Sequence, residues 1–275
     1  MYRIENRVAL VTGSTAGLGR ELAWQLCTMG AKVVLNGRDP EKLEKTAGEF
    51  REKGFDTTAV QGDVGSSAEC QRIIDHCIGT FGHLDILINN AGVSSGGLFA
   101  ETTPETFRKV FDINTLGTIY ITRAALPHIQ ETGGSIVFIS SLAGLVGLPF
   151  SSLYCSSKMA LTALAQALQV ELADPGVHVG IVYAGFLENA PDKRVIGPKG
   201  ELQTTGPRDS IRLQPMDRAS KAIIRLIQKR KRKMVMSTMG RLSYAAIRFA
   251  PWLMRIILIH SKKKAQRIYE PQRNP

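Results

Sequence analysis

Residues 8–19 read VALVTGSTAGLG, and this stretch decides the fold of the 275-residue chain. It predicts a buried strand, Val8–Thr12, that runs into a glycine-rich turn and then into a helix over Arg20–Met29. Glycines let the backbone approach a ligand closely, and the first N–H groups of a helix attract phosphate. The order therefore predicts a pyrophosphate site, with a plain structural turn as the alternative. The residues expected to line the site are Gly13, Ser14, Thr15, Gly17, Leu18 and Gly19.

The following 165 residues or so alternate short apolar runs with amphipathic helical stretches. Further strands are predicted at Lys32–Asn36, Thr57–Gln61, Ile86–Asn89, Ser135–Ser140 and His178–Tyr183. Helix starts are marked by Asp39-Pro40 and Thr103-Pro104, and by a capping box formed by Ser66 and Glu69. Near-continuous apolar strands between helices indicate an α/β fold with a doubly wound parallel sheet, the Rossmann fold.

The organisation expected is one domain over residues 1–239, followed by a basic-apolar tail over residues 240–275. Residues 186–215 are polar and rich in Gly and Pro, with no clear period. A loop this long in a compact domain is usually functional, so we expect a lid over a substrate pocket. A long surface connection is the alternative. A helix (Arg218–Lys229) and a short strand (Lys233–Ser237) are predicted before the tail.

The net charge of +11 is concentrated near the C-terminus. Residues 1–217 hold 19 Lys/Arg and 23 Asp/Glu, whereas residues 218–275 hold 16 basic residues and one acid, Glu270. The basicity therefore belongs to the last fifth of the chain and does not make the body a nucleic-acid binder.

Cysteines and histidines give no sign of disulfides or zinc. Cys27, Cys70, Cys77 and Cys155 are scattered without a CxxC pair, which is typical of reduced thiols. The five histidines have no neighbours at metal-ligand spacing, and the polar start predicts no secretory signal. We expect a cytoplasmic protein without a metal site.

Tyr154 and Lys158 form the strongest chemical signal in the chain. They lie four residues apart in a predicted helix, Tyr154–Leu172, so both side chains share one face. An ammonium beside a phenol lowers a phenol pKa that starts near about 10. A tyrosine so placed can exchange a proton with a carbonyl or alcohol oxygen. A half-buried tyrosine beside a solvated lysine is the alternative.

These motifs together resemble the short-chain dehydrogenase/reductase family over residues 4–237. The glycine spacing Gly-x-x-x-Gly-x-Gly is that of the family, and the segment Asn89–Gly92 is similar to its Asn-Asn-Ala-Gly motif. Asp63-Val64, after the third strand, looks like the family's adenine-binding pair. The resemblance implies that the dinucleotide is a nicotinamide cofactor. It also implies binding roles for Asp63, Val64, Asn90, Ala91, Gly92, Tyr154, Lys158 and Gly185.

The resemblance extends Tyr154 and Lys158 to a catalytic group of four. Ser141 ends the fifth strand as the family's substrate-polarising serine does, and Asn114 resembles the asparagine that holds a water in its proton relay. The neighbouring Ser140 should point away because side chains alternate along a strand. The implied reaction moves a hydride between nicotinamide and a carbonyl carbon, while Tyr154 supplies or takes the proton.

The residues that select between NAD(H) and NADP(H) are expected where the second strand ends, at Asn36-Gly37-Arg38. An acid there would hold the ribose 2′-hydroxyl of NAD, whereas the planar fork of Arg38 suits the 2′-phosphate of NADP(H). We therefore favour NADP(H) over NAD(H). The adjacent Asp39 could neutralise part of the charge on Arg38, and a solvated surface arginine is the alternative.

One departure from the family follows the sixth strand. The family usually has Pro-Gly and then a threonine that contacts the nicotinamide amide, whereas this chain has Ala184-Gly185 and, at the threonine position, Asn189. An asparagine can hydrogen-bond an amide, so we expect cofactor binding to survive.

The substrate is expected to be a small lipophilic molecule. Apolar positions that could line its pocket are Leu142, Val146, Leu148, Phe150, Leu153, Phe186 and Leu187. The alternative is that these residues only pack in the core. A homo-oligomer is also expected, because relatives in the family are often dimers or tetramers.

The tail combines apolar residues with arginines and lysines at seven-residue spacing: Arg241, Arg248, Arg255 and Lys262. As one helix kinked by Pro251, it would carry a single basic stripe. This favours residues 240–264 lying on an anionic membrane surface, with packing on protein as the alternative.

Two other function classes were weighed against the oxidoreductase. A catalytically idle scaffold with this fold would not need Asn114, Ser141, Tyr154 and Lys158 together. A sugar-nucleotide epimerase or dehydratase would need a larger C-terminal substrate domain than this chain has.

Overall fold

The computed structural model describes residues 1–174, 176–188, 194–204 and 213–269. In this part of the chain the main sheet has seven strands, and all its pairings are parallel. Its strands are β1 (Val8–Val11), β2 (Lys32–Gly37), β3 (Thr57–Gln61), β4 (Ile86–Asn89), β5 (Ser135–Ser141), β6 (His178–Ala184) and β9 (Lys233–Val235). A separate antiparallel hairpin consists of β7 (Arg194–Ile196) and β8 (Leu202–Thr204).

Helices connect the strands and cover both faces of the sheet. They are α1 (Gly17–Thr28), α2 (Pro40–Glu52), α3 (Ser67–Phe81), α4 (Pro104–Phe111), α5 (Gly117–Thr132), α6 (Ser152–Glu171), α7 (Met216–Gln228), α8 (Thr238–Phe249) and α9 (Pro251–Tyr269). A π-helical turn, Asp112–Leu116, joins α4 to α5. The predicted Rossmann fold is confirmed.

The apolar strand runs are explained by a core on each face of the sheet. In β1, Ala9 and Val11 pack in one core with α1, α2 and α7, whereas Val8 and Leu10 pack in the other with α3, α5 and α6. All four side chains are buried. A strand covered on both faces needs apolar residues at every position, not at every second one.

The strand order is β3-β2-β1-β4-β5-β6-β9, so consecutive connections leave β1 in opposite directions. Such a reversal opens a crevice at the carboxyl ends of the strands, where ligands bind in open α/β sheets. The glycine-rich turn after β1 lies at this crevice. The predicted site residues therefore lie together at the carboxyl ends of the strands.

The predicted helix starts are confirmed by side-chain caps. Asp39 accepts a hydrogen bond from Lys42 N at 3.1 Å, and Thr103 accepts one from Thr106 N at 3.3 Å. Ser66 accepts from Glu69 N, but the Glu69 carboxylate bonds Asp63 N at 2.8 Å in place of Ser66 N. The capping box is therefore half-formed, and Glu69 ties the end of β3 to α3.

The segment predicted as a lid contains the β7–β8 hairpin, which the sequence did not indicate because each strand has three residues. Ile196 bridges to Ser95, and Leu187 bridges to Gln214. Residues 189–193 and 205–212 lie outside the described residues. A lid function over 186–215 stays a prediction.

The tail forms two helices, α8 and α9, where a single kinked helix was predicted. Ala250 has φ −141° and ψ 61°, which ends α8, and Pro251 starts α9, where its missing N–H costs nothing. The expected single basic stripe is wrong, because the break divides it into Arg241 and Arg248 on α8 and Arg255 and Lys262 on α9. In the part of the chain that the structure describes, no helix is both long enough and apolar enough to cross a membrane.

Candidate active site

The glycine-rich turn is shaped by positions that exclude a side chain. Gly13 and Gly17 have φ of +63° and +56°, a conformation that glycine adopts without strain. A Cβ at Gly19 would collide with Asn90 Nδ2 and with the carbonyl oxygen of Gly13. The turn therefore lies directly against the end of β4.

A hydrogen-bond network fixes that contact. Asn90 Nδ2 donates to the carbonyl oxygens of Thr12 and Gly13, at 2.9 and 3.1 Å. Thr12 Oγ1 accepts from the backbone N–H groups of Asn90 and Ala91, both at 3.0 Å. Asn90 and Ala91, expected to bind the cofactor, also hold its binding turn in place.

Asn36 is a second anchor of the turn, and sequence reasoning assigned it no role. Its Oδ1 accepts from Gly13 N at 3.4 Å, and its backbone N–H donates to Ser14 Oγ at 2.9 Å. Its Nδ2 donates to the carbonyl oxygens of Val60 and Gly62. A polar residue in an otherwise apolar strand was the signal that could have found it.

The start of α1 has the features of an anion site. Ala16 occupies the N-cap position, so it has no side-chain oxygen to accept from the first N–H groups. The first turn of the helix contains no acidic residue. N–H groups in such a position, with the positive end of the helix dipole, suit the phosphates of a dinucleotide.

We predict that Gly19→Ala weakens dinucleotide binding at least about tenfold and destabilises the protein by about 1–3 kcal/mol, because the added methyl overpacks the turn. Isothermal titration calorimetry and urea unfolding measure the two effects. Gly79→Ala in α3 is the matched control, because a Cβ there meets nothing within 4 Å. Unchanged dinucleotide affinity in Gly19→Ala would contradict the assignment of the turn.

Arg38 lies at the end of β2, but its charge partner differs from the one expected. Its Nη1 lies 3.5 Å from Asp63 Oδ2, with both side chains partly exposed. Asp39 caps α2 and pairs with Lys42 Nζ at 3.7 Å. Asp39, the alternative partner for Arg38, instead pairs with Lys42, because the capping geometry turns it toward α2.

Asp63 and Val64 stand side by side after β3, as expected. Asp63 Oδ1 accepts from Gly65 N at 2.8 Å. Val64 is buried, and a Cβ on Gly117 would come within 2.8 Å of its Cγ2. The pair thus joins the end of β3 to the start of α5.

The two serines at the end of β5 face different surroundings. Ser140 is buried and its hydroxyl donates to the Lys158 carbonyl oxygen at 3.1 Å. Ser141 is half-buried, and its Oγ accepts from Ala143 N at 3.2 Å. Ser140 thus packs the strand against α6, and Ser141 has the position from which a hydroxyl could reach a ligand.

Lys158 is buried to 5% exposure in the second turn of α6. Its Nζ donates to the Ile139 carbonyl oxygen at 3.0 Å. Burial lowers the pKa of Lys158 from 10.5 to about 8, because a desolvated ammonium is disfavoured. Tyr154 is half-buried one turn earlier on the same helix, so the two side chains share a face as predicted.

Asn114 lies fully buried in the π-helical turn. Its side chain bonds both backbone groups of Val93, with Oδ1 accepting at 2.8 Å and Nδ2 donating at 2.9 Å. Nδ2 also donates to Ser157 Oγ at 3.0 Å. Asn114 therefore holds the chain after β4 against α6, and its role in a water relay stays a prediction.

Gly92 is the point where these residues meet the dinucleotide turn. A Cβ placed on Gly92 would lie 3.1 Å from Asn114 Oδ1 and 3.2 Å from Lys158 Nζ. Its neighbour Ala91 contacts Gly13, where a Cβ would come within 3.0 Å of the Ala91 Cα. The glycine-rich turn, Asn114 and Lys158 are thus brought together as expected.

After β6, Gly185 lies near the tail. A Cβ on Gly185 would be 3.5 Å from Ser237 Oγ and 3.9 Å from Leu142 Cδ1. Ala184 pairs with Ser141 in the sheet register, so it stands beside the strand end that carries the predicted catalytic serine. Asn189, expected to contact the nicotinamide amide, lies outside the described residues.

These features define a nucleotide-binding α/β protein of the Rossmann class. Residues 7–196 match the family model described as short chain dehydrogenase. The chain belongs to the short-chain dehydrogenase/reductase family, whose members are oxidoreductases that act on CH–OH and C=O groups.

Two curated relatives illustrate the family. Versicolorin reductase of Emericella nidulans is 35% identical over 188 residues, which cover 68% of this chain and 71% of that protein. The 11-beta-hydroxysteroid dehydrogenase 1A of Arabidopsis thaliana is 35% identical over 217 residues, or 78% of this chain. The match spans 62% of the plant protein's length, which is less than two thirds.

Solved structures share the fold. The 3-ketoacyl-(acyl-carrier-protein) reductase of Brucella melitensis, complexed with NADH, is 28% identical with a TM-score of 0.75, covering 85% of this chain and 97% of that one. The gluconate 5-dehydrogenase of Burkholderia cenocepacia, in complex with NADP and tartrate, is 23% identical with a TM-score of 0.73. That alignment covers 86% of this chain and 96% of the other and shows the fold alone.

Proposed function

We propose that this protein transfers a hydride between NADP(H) and a lipophilic carbonyl/alcohol pair, with Tyr154 as the acid/base. The observation that carries the proposal is the buried Lys158, which lies on the Tyr154 face of α6 and beside Gly92 at the dinucleotide turn. An ionisable group with a lowered pKa next to a ligand crevice is typical of a functional site. The solved reductase of Brucella melitensis, which is complexed with NADH, supports a nicotinamide cofactor.

The residues present fit such a cofactor. The uncapped start of α1 and the side-chain-free turn would hold its pyrophosphate, and Asp63, Val64 and Arg38 would hold the adenosine side. When bound, the nicotinamide supplies or accepts the hydride.

The proton steps belong to the side chains. Tyr154 donates its phenolic proton to a carbonyl oxygen in reduction, or accepts one from an alcohol in oxidation. Ser141 donates a hydrogen bond to the same oxygen and polarises it. Lys158 favours the phenolate form of Tyr154 and binds the nicotinamide ribose. Asn114 holds the Val93 segment beside this group and positions the relay.

A lipophilic substrate is supported by the apolar character of the segments around Ser141 and Tyr154. Phe150 and Leu153 are buried, whereas 39% of Phe186 is exposed next to the strand end. Leu142 and Leu187 pack against the two cores, and Leu153 belongs to a third buried cluster with Val110 and Ile196. These three leucines therefore serve the fold as well. The names of the steroid dehydrogenase and the versicolorin reductase among the relatives agree with a polycyclic or otherwise apolar substrate.

The function is tested by following the absorbance of NADPH while the protein is supplied with a panel of apolar ketones and alcohols. Turnover of at least one apolar pair by the wild-type protein is expected. Cofactor binding without turnover of any pair would instead favour the idle scaffold.

We predict a preference for NADP(H) in kcat/KM, and its reversal in Arg38→Asp. Arg38 offers a charged fork for the 2′-phosphate, and the carboxylate of Asp39 is occupied as the cap of α2. The expected change in the NADPH/NADH ratio is at least about 10-fold, or about 1.4 kcal/mol. Arg51→Asp is the control, because Arg51 is exposed in the last turn of α2 and pairs with Glu44. A wild-type preference for NADH would refute the assignment.

We also propose that the tail attaches the protein to an anionic membrane surface. The outer face of α9, formed by Trp252, Leu253, Ile256 and Ile257, is between 39% and 65% exposed. No acidic residue occurs from 218 to 269, so the surrounding charge is positive throughout. An apolar face flanked by cations is the pattern of an interfacial helix.

We predict that Trp252→Glu with Ile256→Glu weakens binding to phosphatidylserine-containing vesicles roughly 100-fold in a co-sedimentation assay. The two apolar side chains would contribute about 3 kcal/mol when they insert into the membrane surface. Val170→Glu is the control, because Val170 is 77% exposed on α6, away from the tail. If the double variant sediments with vesicles like the wild type but changes its oligomeric mass, this face is a contact between subunits. A homo-oligomer is itself part of the proposal, and light scattering measures it.

A further inference from the structure

A cleft of about 490 Å³ lies between the tail and the loop that follows β5. Val146, Gly147 and Pro149 form one wall, and Met254 and Leu258 of α9 form the opposite wall. The volume is within the roughly 300–1,000 Å³ of small-molecule sites. We refer to this space as the α9 cleft.

The α9 cleft is elongated and apolar. Its lining runs along α9 from Pro251 to Lys262, eleven residues apart, which corresponds to about 16 Å of helix. Ile247 of α8 and Leu258 contribute further apolar surface. A long and apolar space suits an extended alkyl chain better than a compact polar ligand.

Two cations complete the lining. Arg255 and Lys262 both border the α9 cleft and lie seven residues apart, on the same side of the helix. No acidic residue occurs between 218 and 269, so α8 and α9 offer them no side chain of opposite charge. Their charge is complementary to an anionic group at the edge of the apolar space.

We propose that the α9 cleft binds one single-chain amphiphile with an anionic head, whose alkyl chain lies between α9 and Val146–Pro149 and whose head contacts Arg255 and Lys262. This site is separate from the outer face of α9, because Leu258 and Met254 turn toward the body while Trp252 and Ile256 are exposed. It takes a single molecule, whereas the outer face would lie on a membrane surface.

The position of the site links it to the candidate active site. The loop that forms one wall connects Ser141 at the end of β5 to Tyr154 in α6. A ligand in the α9 cleft therefore contacts the segment that carries both residues. Val146 is shared between the α9 cleft and the predicted substrate pocket. The proposal does not rest on hydride transfer, and laurate binding is expected to be unchanged in Tyr154→Phe.

Isothermal titration calorimetry of the full-length protein with laurate, below its micelle concentration, tests the proposal. One laurate per chain is expected, and dodecyltrimethylammonium, which has the same chain and the opposite charge, should bind more weakly. Leu258→Trp fills the cleft and should weaken laurate binding at least about tenfold, whereas Ile257→Trp on the outer face should not.

Charge variants provide a second measurement that does not depend on filling the cleft. Arg255→Gln with Lys262→Gln should weaken laurate binding about fivefold, the effect of two exposed charge contacts. Arg248→Gln on α8 with Lys263→Gln on α9 removes the same charge at two positions that do not line the cleft, and should leave laurate affinity unchanged.

Vesicles distinguish the cleft from the membrane surface. Leu258→Trp should keep its binding to phosphatidylserine-containing vesicles while losing laurate. No laurate binding by the wild type, equal binding of both surfactants, or parallel loss of laurate and vesicle binding in Leu258→Trp would each overturn the proposal.

Discussion

Replacing Tyr154 by phenylalanine is expected to remove nearly all turnover while leaving dinucleotide binding largely intact. The change removes the phenolic oxygen and keeps the ring, so the packing of α6 is preserved. Proton transfer by a positioned side chain contributes between about 100-fold and 10,000-fold to rate, and kcat should fall by that factor. Stopped-flow or steady-state absorbance measures turnover, and fluorescence titration measures NADPH affinity.

Tyr120→Phe is the matched control for this prediction. Tyr120 is a half-buried tyrosine on α5, so the substitution removes the same hydroxyl outside the site. Its turnover should stay within about twofold of wild type. Retention of more than about a tenth of the activity in Tyr154→Phe would end the proposed role of Tyr154.

Lys158→Met is expected to remove most turnover and yet stabilise the protein in the absence of dinucleotide. Burial lowers the pKa of Lys158 from 10.5 to about 8 in the folded state. Below about pH 8 the folded and unfolded states are both protonated, so the full cost of burying the ammonium is present. That cost is about 3 kcal/mol. The substitution also removes the hydrogen bond from Lys158 to the Ile139 carbonyl oxygen, and this loss offsets about 1 kcal/mol of the gain in stability.

The same lowered pKa predicts how the stability of the wild-type protein changes with pH. Between about pH 8 and 10.5 the unfolded state holds a proton that the folded state has lost, so wild-type stability rises with pH. Lys158→Met should lack this rise, and its advantage should shrink toward high pH. Urea unfolding at neutral and alkaline pH measures it. Lys221→Met, at an exposed lysine of α7, is the control. Equal or lower stability of Lys158→Met at neutral pH would contradict the burial cost.

The inner strands of the sheet could be predicted from sequence because both of their faces are buried. Predicted strand ends differ from observed ends by one residue at Val11, Gly37, Ser141 and Ala184. At the edge of the sheet, β9 ends at Val235, two residues before the predicted Ser237. The β7–β8 hairpin could not be predicted, because three-residue strands carry too little periodicity.

The candidate site was predictable where a residue's place follows from its own element. Ser140 and Ser141 point to opposite faces because side chains alternate along a strand. Tyr154 and Lys158 share a face because residues four apart lie on the same side of a helix. Partners on other elements were not predictable. Arg38 lies beside Asp63 because β2 and β3 end together in the parallel register, a contact between residues 25 positions apart. The basic stripe failed because the backbone at Ala250 ends a helix that side-chain spacing alone would continue.

The position of the tail in the chain order has a consequence for how such a protein can change over time. The tail follows β9, the last strand at the edge of the sheet, and meets the body at Leu142, where a Cβ on Gly240 would come within 2.8 Å of Leu142 Cδ2. Most of its described side chains are outside the cores. Changes in residues 238–269 would therefore alter the proposed membrane and ligand contacts of the tail while leaving the residues of the two cores in place.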